Sequence, residues 1–106
     1  MRILVTQRVE VVAGYGERRD CLDQQWTVLL ERLSMQCIPV PNYARAAEFA
    51  SFADGMILTG GNDLVGLPEA TNTAPERDAL ETELVKIALE RGLPNRAAAD
   101  DGEARS

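Results

Sequence analysis

Five short stretches of the chain alternate in hydrophobic pattern, and each pattern predicts a different element. RILVT at Arg2–Thr6 is a β-branched apolar run of strand length, and Gly14-Tyr15-Gly16 then marks a loop. From about Asp20, the residues Leu22, Trp26, Leu29, Leu30 and Leu33 fall on one face of a helix that ends near Ser34. CIPVP at Cys37–Pro41 is strand-like, but its prolines cannot donate to a ladder, which suits an edge strand or one that is finishing. Asn42 then suits the cap of a short helix running from Tyr43 to about Phe52. DGMILTGGND follows, predicting a buried strand at Gly55–Leu58 with two glycines at its carboxyl end.

After a loop from Asn62 to Asn72 without period, Thr73 and Glu76 have the spacing of a capping box. The helix they announce carries its stripe on Leu80, Leu84, Ile87 and Ala88. Gly92 is a natural left-handed stop, Leu93 follows to fold back on the last turn, and Pro94 blocks continuation. Strands alternating with helices imply a parallel sheet of about three strands with helices on its faces. A fourth strand is due after RGLP. Instead come Asn95, Arg96, three alanines and a run of charge, which predict a solvated, disordered tail over Asn95–Ser106 or a short helical extension through Ala97–Ala99.

Composition narrows the chemistry. With 106 residues, 45% hydrophobic and 26% charged, the chain has room for one small globular domain. A net charge of −6, with Lys86 the only lysine, argues against nucleic acid and anionic membranes as partners. No apolar run reaches the length of a membrane span and none resembles a signal peptide, so the expected location is the cytoplasm. No histidine is present, and Cys21 and Cys37 lack Cys-x-x-Cys spacing, which excludes the usual zinc sets and any Cys-His or Ser-His pair. Both cysteines read as small hydrophobes, and no cofactor is implied. TGGND after a strand lacks the remaining glycines and the Gly-Lys-Ser/Thr ending of nucleotide-binding loops.

Four segments, in order and at their intervals, resemble the amino-terminal half of class I glutamine amidotransferase-like hydrolases: GYGERRDCLDQQWTVLLERL, PVPN, DGMILTGGNDL and APERDALETELVKIALERGLP. The nearest branch is the gamma-glutamyl-gamma-aminobutyrate hydrolase group, peptidase family C26, and the resemblance covers Met1 to Pro94. It implies an α/β fold, a flavodoxin-like three-layer sandwich, here truncated, and hydrolysis of gamma-glutamyl amides by a Cys-His-Glu triad. The family's nucleophile lies on the strand after RGLP and its histidine and glutamate later still, so this chain has no catalytic residue of the triad; neither Cys21 nor Cys37 aligns with it.

Carried over are Gly60 and Gly61, matching the double glycine whose backbone N–H helps form the oxyanion hole, with Asn62 and Asp63 beside them. Thr59 stands where the family usually has proline. Arg77 and Asp78 match an Arg-Asp pair, so Asn62, Asp63 and Arg77 are candidates for a substrate loop, although an aspartate in a first helical turn also suits the helix dipole. Arg18, Arg19 and Asp20 resemble a feature near the substrate entrance or, equally, a solvated helix start.

Three expectations follow. The first is a fold that engages a gamma-glutamyl or glutamine-like small molecule but is inactive alone. The second is an assembly module, self-associating or completed by another chain through the open edge of the strand Gly55–Leu58. The third is a remnant shortened at Pro94-Asn95.

Overall fold

The computed structural model describes residues 1–60, 73–98 and 104–105. Strand β1 (Arg2–Thr6) leads into a hairpin of β2 (Arg8–Val11) and β3 (Arg18–Cys21), followed by helix α1 (Gln24–Arg32) and strand β4 (Gln36–Val40). Helix α2 (Ala46–Ala50), strand β5 (Gly55–Leu58), helix α3 (Pro75–Arg91) and strands β6 (Asn95–Ala98) and β7 (Ala104–Arg105) complete the order. The sheet runs β4-β1-β5-β6-β7, its first four strands parallel and β7 antiparallel to β6. Strand order reverses at β1, as in flavodoxin-like sandwiches. The fold is α/β, and helices cover both faces.

Alternation along the strands divides the core in two. Leu4, Val40 and Met56 face α2 and α3, where Ala46, Ala53, Leu80, Leu84 and Ala88 bury against them. Ile3 and Val5 face the other way, onto Leu30 of α1, with Trp26, Met35, Cys37 and Ile57 at the margin. Full burial of a leucine or valine contributes about 1.5–3 kcal/mol, so Leu4, Val5, Val40 and Leu84 anchor the sandwich. Pro39 sits opposite Val5 on the edge strand, as its sequence predicts. The Gln36 N–H donates to the Met1 carbonyl at 2.7 Å, so amides two residues apart face β1 and position 39, where proline has no donor, faces outward.

Helix ends differ from expectation in physically readable ways. Helix α1 starts at Gln24, not near Asp20, because the Asp23 carboxylate accepts from the Gln25 N–H at 2.8 Å and caps it. Arg18–Cys21 is extended instead, paired with Arg8–Val11. Asn42 does not cap α2; its side chain is engaged elsewhere, and α2 begins after Arg45 without a side-chain cap. Nor is Thr73 the cap of α3: Ala74 holds that position, Pro75 takes the first turn, and the Glu76 carboxylate binds Arg18. At the far end Gly92 is left-handed, with φ 68°, and the Leu93 N–H folds back to the Ala88 carbonyl at 2.9 Å, as the Gly-Leu-Pro stop predicts.

The sheet exceeds the expected three strands by a fourth parallel one. Asn95–Ala98, read from sequence as tail, pairs along β5 with Met56 opposite Asn95 and Leu58 opposite Ala97. Pairing uses only backbone N–H and C=O, so a strand whose Asn95, Arg96 and Ala97 side chains are exposed still joins the ladder. Gly55 permits the approach, since a Cβ there would stand 3.3 Å from the Pro94 carbonyl oxygen. The edge of β5 that was expected to be open is therefore filled. Among the described residues no helix is long and apolar enough to cross a membrane.

Candidate functional site

In sheets of this order the crevice lies outside the carboxyl ends of the strands at the point where the order reverses. Here that point is between β1 and β5. Thr6 ends β1 with its side chain fully buried, and Thr59 and Gly60 extend beyond β5. The two threonines join the strand ends: the Thr59 N–H donates to Thr6 Oγ1 at 2.9 Å, and Thr59 Oγ1 donates to the Thr6 carbonyl at 2.8 Å. Thr6 Oγ1 in turn donates to Glu81 Oε2 of α3 at 2.6 Å.

Arg77, in the first turn of α3, reaches over this junction with only 3% of its surface exposed. Its Nη1 donates to the Gly60 carbonyl at 2.8 Å, its Nη2 donates to the Thr59 carbonyl and to Thr59 Oγ1, and its Nε lies 3.4 Å from Glu81 Oε2. Arg77 and Glu81 stand four residues apart, which puts both on one face of α3. One cation thus gathers the backbone oxygens at the end of β5, and one carboxylate ties that cation to β1.

A second group flanks the crevice from the hairpin. The Arg18 guanidinium donates twice to Glu76, at 2.7 and 3.0 Å, where the carboxylate is almost wholly buried. That pairing holds the Glu76 carboxyl below its ordinary value and raises Arg18 above its own. The Asp20 carboxylate accepts from the Asn42 N–H at 3.0 Å and from Asn42 Nδ2 at 2.8 Å, and Nδ2 also donates to the Gln7 carbonyl at 3.3 Å. Two pins therefore fasten β3 across the carboxyl ends of the sheet. Arg18 and Asp20 are parts of a strapped strand, not of a helix start. Asn42 Oδ1 is buried without a hydrogen-bond partner among the described residues.

Over 98 aligned residues the chain is 31% identical to the gamma-glutamyl-CDP-amidate hydrolase of Campylobacter jejuni, the match covering 89% of this chain and 48% of that protein. The similarity is to a hydrolase. This chain spans about half the length of the curated relative it matches. No protein-family model matches the chain.

Of the residues singled out in the sequence, Gly60 lies at the end of β5 in the crevice, and Arg77 lies behind it with its guanidinium on the strand-end carbonyls. Gly61, Asn62 and Asp63 lie outside the described residues. Cys37 is on β4 opposite Ile3, packed toward α1, and Cys21 is on β3, where burial pushes its thiol up and Glu10 adds to the shift. A raised thiol is a poorer source of thiolate. Both cysteines are free. Among the described residues no three Asp, Glu or Cys side chains gather into a set that would hold a metal ion.

Sequence reasoning did not single out Thr6 or Glu81. The Arg77-to-Glu81 spacing was a signal for the latter, whereas nothing local marks Thr6 as the residue that links two strand ends 53 positions apart.

Proposed function

We propose that this chain corresponds to the amino-terminal half of a gamma-glutamyl amide hydrolase-like domain of the C26 group, that Gly60 supplies an oxyanion donor, and that the chain does not hydrolyse such amides unaided. The observation that carries this reading is the Thr59-Gly60 strand end in the crevice where strand order reverses, its carbonyls held from behind by Arg77. Such a strand end can present a backbone N–H to the oxygen of a tetrahedral intermediate, a contact worth about 3–4 kcal/mol in related chemistry. The partial identity to a gamma-glutamyl-CDP-amidate hydrolase supports a ligand with a gamma-glutamyl or glutamine-like group.

Amide hydrolysis also needs a nucleophile and a base that activates it. The chain contains no histidine, and β6, the strand beside β5, reads Asn-Arg-Ala-Ala. One donor cannot offset the loss of a triad, whose removal typically costs many orders of magnitude. Incubation with gamma-glutamyl-GABA or with glutamine is expected to release no amine above the blank. Turnover abolished by Cys21→Ser or Cys37→Ser would overturn the reading.

A second reading, assembly with another copy or a complementing chain, loses its expected basis at β5, whose edge β6 fills. It is favoured instead by the end of α1, where Val28 and Leu29, and Leu33 just beyond the helix, are exposed.

A further inference from the structure

We propose that Arg77 is a positioning residue that orients and polarises the Gly60 N–H, rather than a residue that touches substrate. This rests on the reading of Gly60 as an oxyanion donor. The Thr59 carbonyl and the Gly60 N–H belong to one peptide unit, which is planar and has no cis form among the described residues. In a trans peptide the N–H points opposite to the C=O. A guanidinium fixed on the Thr59 carbonyl therefore leaves the Gly60 N–H directed away from Arg77. Because the same guanidinium also holds the Gly60 carbonyl, the plane on each side of the Gly60 α-carbon has an anchor. A glycine without a side chain would otherwise rotate freely between them.

The cation acts electronically as well. A carbonyl that accepts from a charged donor carries more negative charge on oxygen, and its own N–H becomes a stronger donor. Stability alone does not account for this arrangement. A guanidinium removed from water is costly, and apolar side chains of similar volume often stabilise as much or more. Among the described residues Arg77 meets the Glu81 carboxylate at 3.4 Å and, more closely, the Gly60 carbonyl at 2.8 Å and Thr59 Oγ1 at 3.0 Å at the end of β5. Its planar fork can meet two carbonyls at once, which a lysine ammonium at the end of a flexible stem cannot reproduce.

The test reads the amide itself. Nitrogen–proton correlation spectra and amide exchange rates of the 106-residue chain are compared with those of Arg77→Ala and Arg77→Lys. In Arg77→Ala the Gly60 amide resonance is expected to shift, while Leu4, Val5 and Leu84 keep their exchange protection. Millimolar methylguanidinium is expected to restore the Gly60 signal and methylammonium to leave it displaced. Arg77→Lys, which keeps the charge and the aliphatic stem, serves if the alanine variant does not fold, and is expected to show the same change at Gly60. An unchanged Gly60 amide in a folded variant, equal rescue by methylammonium, or global unfolding of both variants would each overturn the proposal. Failure of the oxyanion reading would look different: a Gly60 amide governed by Arg77 that does not respond when glutamine is added.

Discussion

At the scale of single residues the hairpin is held by charge, and charge makes it sensitive to acid. The Glu76 carboxyl lies below its ordinary value of 4.5, chiefly because Arg18 donates to it. A depressed carboxyl contributes stability in full above the ordinary value and loses it as pH falls through the depressed one. Arg18→Gln should therefore lower the urea midpoint at neutral pH, and the gap from the parent chain should close as the buffer is taken well below pH 4.5. A gap that stays constant across that range would show that the pair is not the source. Arg8–Glu10 and Arg45–Glu48 have both partners exposed, and their removal should move the midpoint little at any pH. Arg77 differs in that, among the described residues, it also holds the main-chain oxygens of Thr59 and Gly60, which do not titrate.

At the scale of elements the two helical layers carry unequal weight. Leu84 of α3 has no exposed surface and lies among Leu4, Met56 and Leu80, so Leu84→Ala should cost about 2–5 kcal/mol of unfolding free energy in denaturant titration. Leu33, just beyond α1, is 56% exposed, and Leu33→Ala should stay within about 0.5 kcal/mol of the parent. The same comparison marks what the sequence disclosed. The α3 stripe of Leu80, Leu84 and Ala88 was legible because helical spacing and burial agree there, and Gly92-Leu93-Pro94 announced its end through local backbone preference alone. The α1 stripe was legible as a helix, but Leu29 and Leu33 face outward because α1 is short and only Leu30 of its nine residues is buried. The β2–β3 hairpin was not seen, since RVEV and RRDC bury only Val9 fully and show no alternating apolar face. β6 was missed for a related reason: its place is set by the return of α3 to the sheet and by the absence of a Cβ at Gly55, neither of which shows in Asn-Arg-Ala-Ala. Two glycines after a strand read by themselves as a tight turn and only the family resemblance pointed to Gly60, whereas the Thr6–Thr59–Arg77–Glu81 linkage joins residues that only the fold brings together.

At the scale of the whole molecule, α1 leaves Leu29 49% and Leu33 56% exposed, with Val28 beside them. Apolar residues that face water in a chain of this size favour association. Light scattering should show the mean mass rising with concentration, and Leu29→Glu with Leu33→Glu should return it to that of a single chain. A constant monomer mass up to high concentration would rule this route out. Growth through the sheet itself is a separate matter, and Pro39 bears on it. A strand arriving from solution beside β4 would need a donor at the very position where the pyrrolidine ring offers only carbon. Stacking of copies into a continuous ribbon is interrupted at that rim, which leaves contact between helical faces as the more accessible way for these molecules to meet.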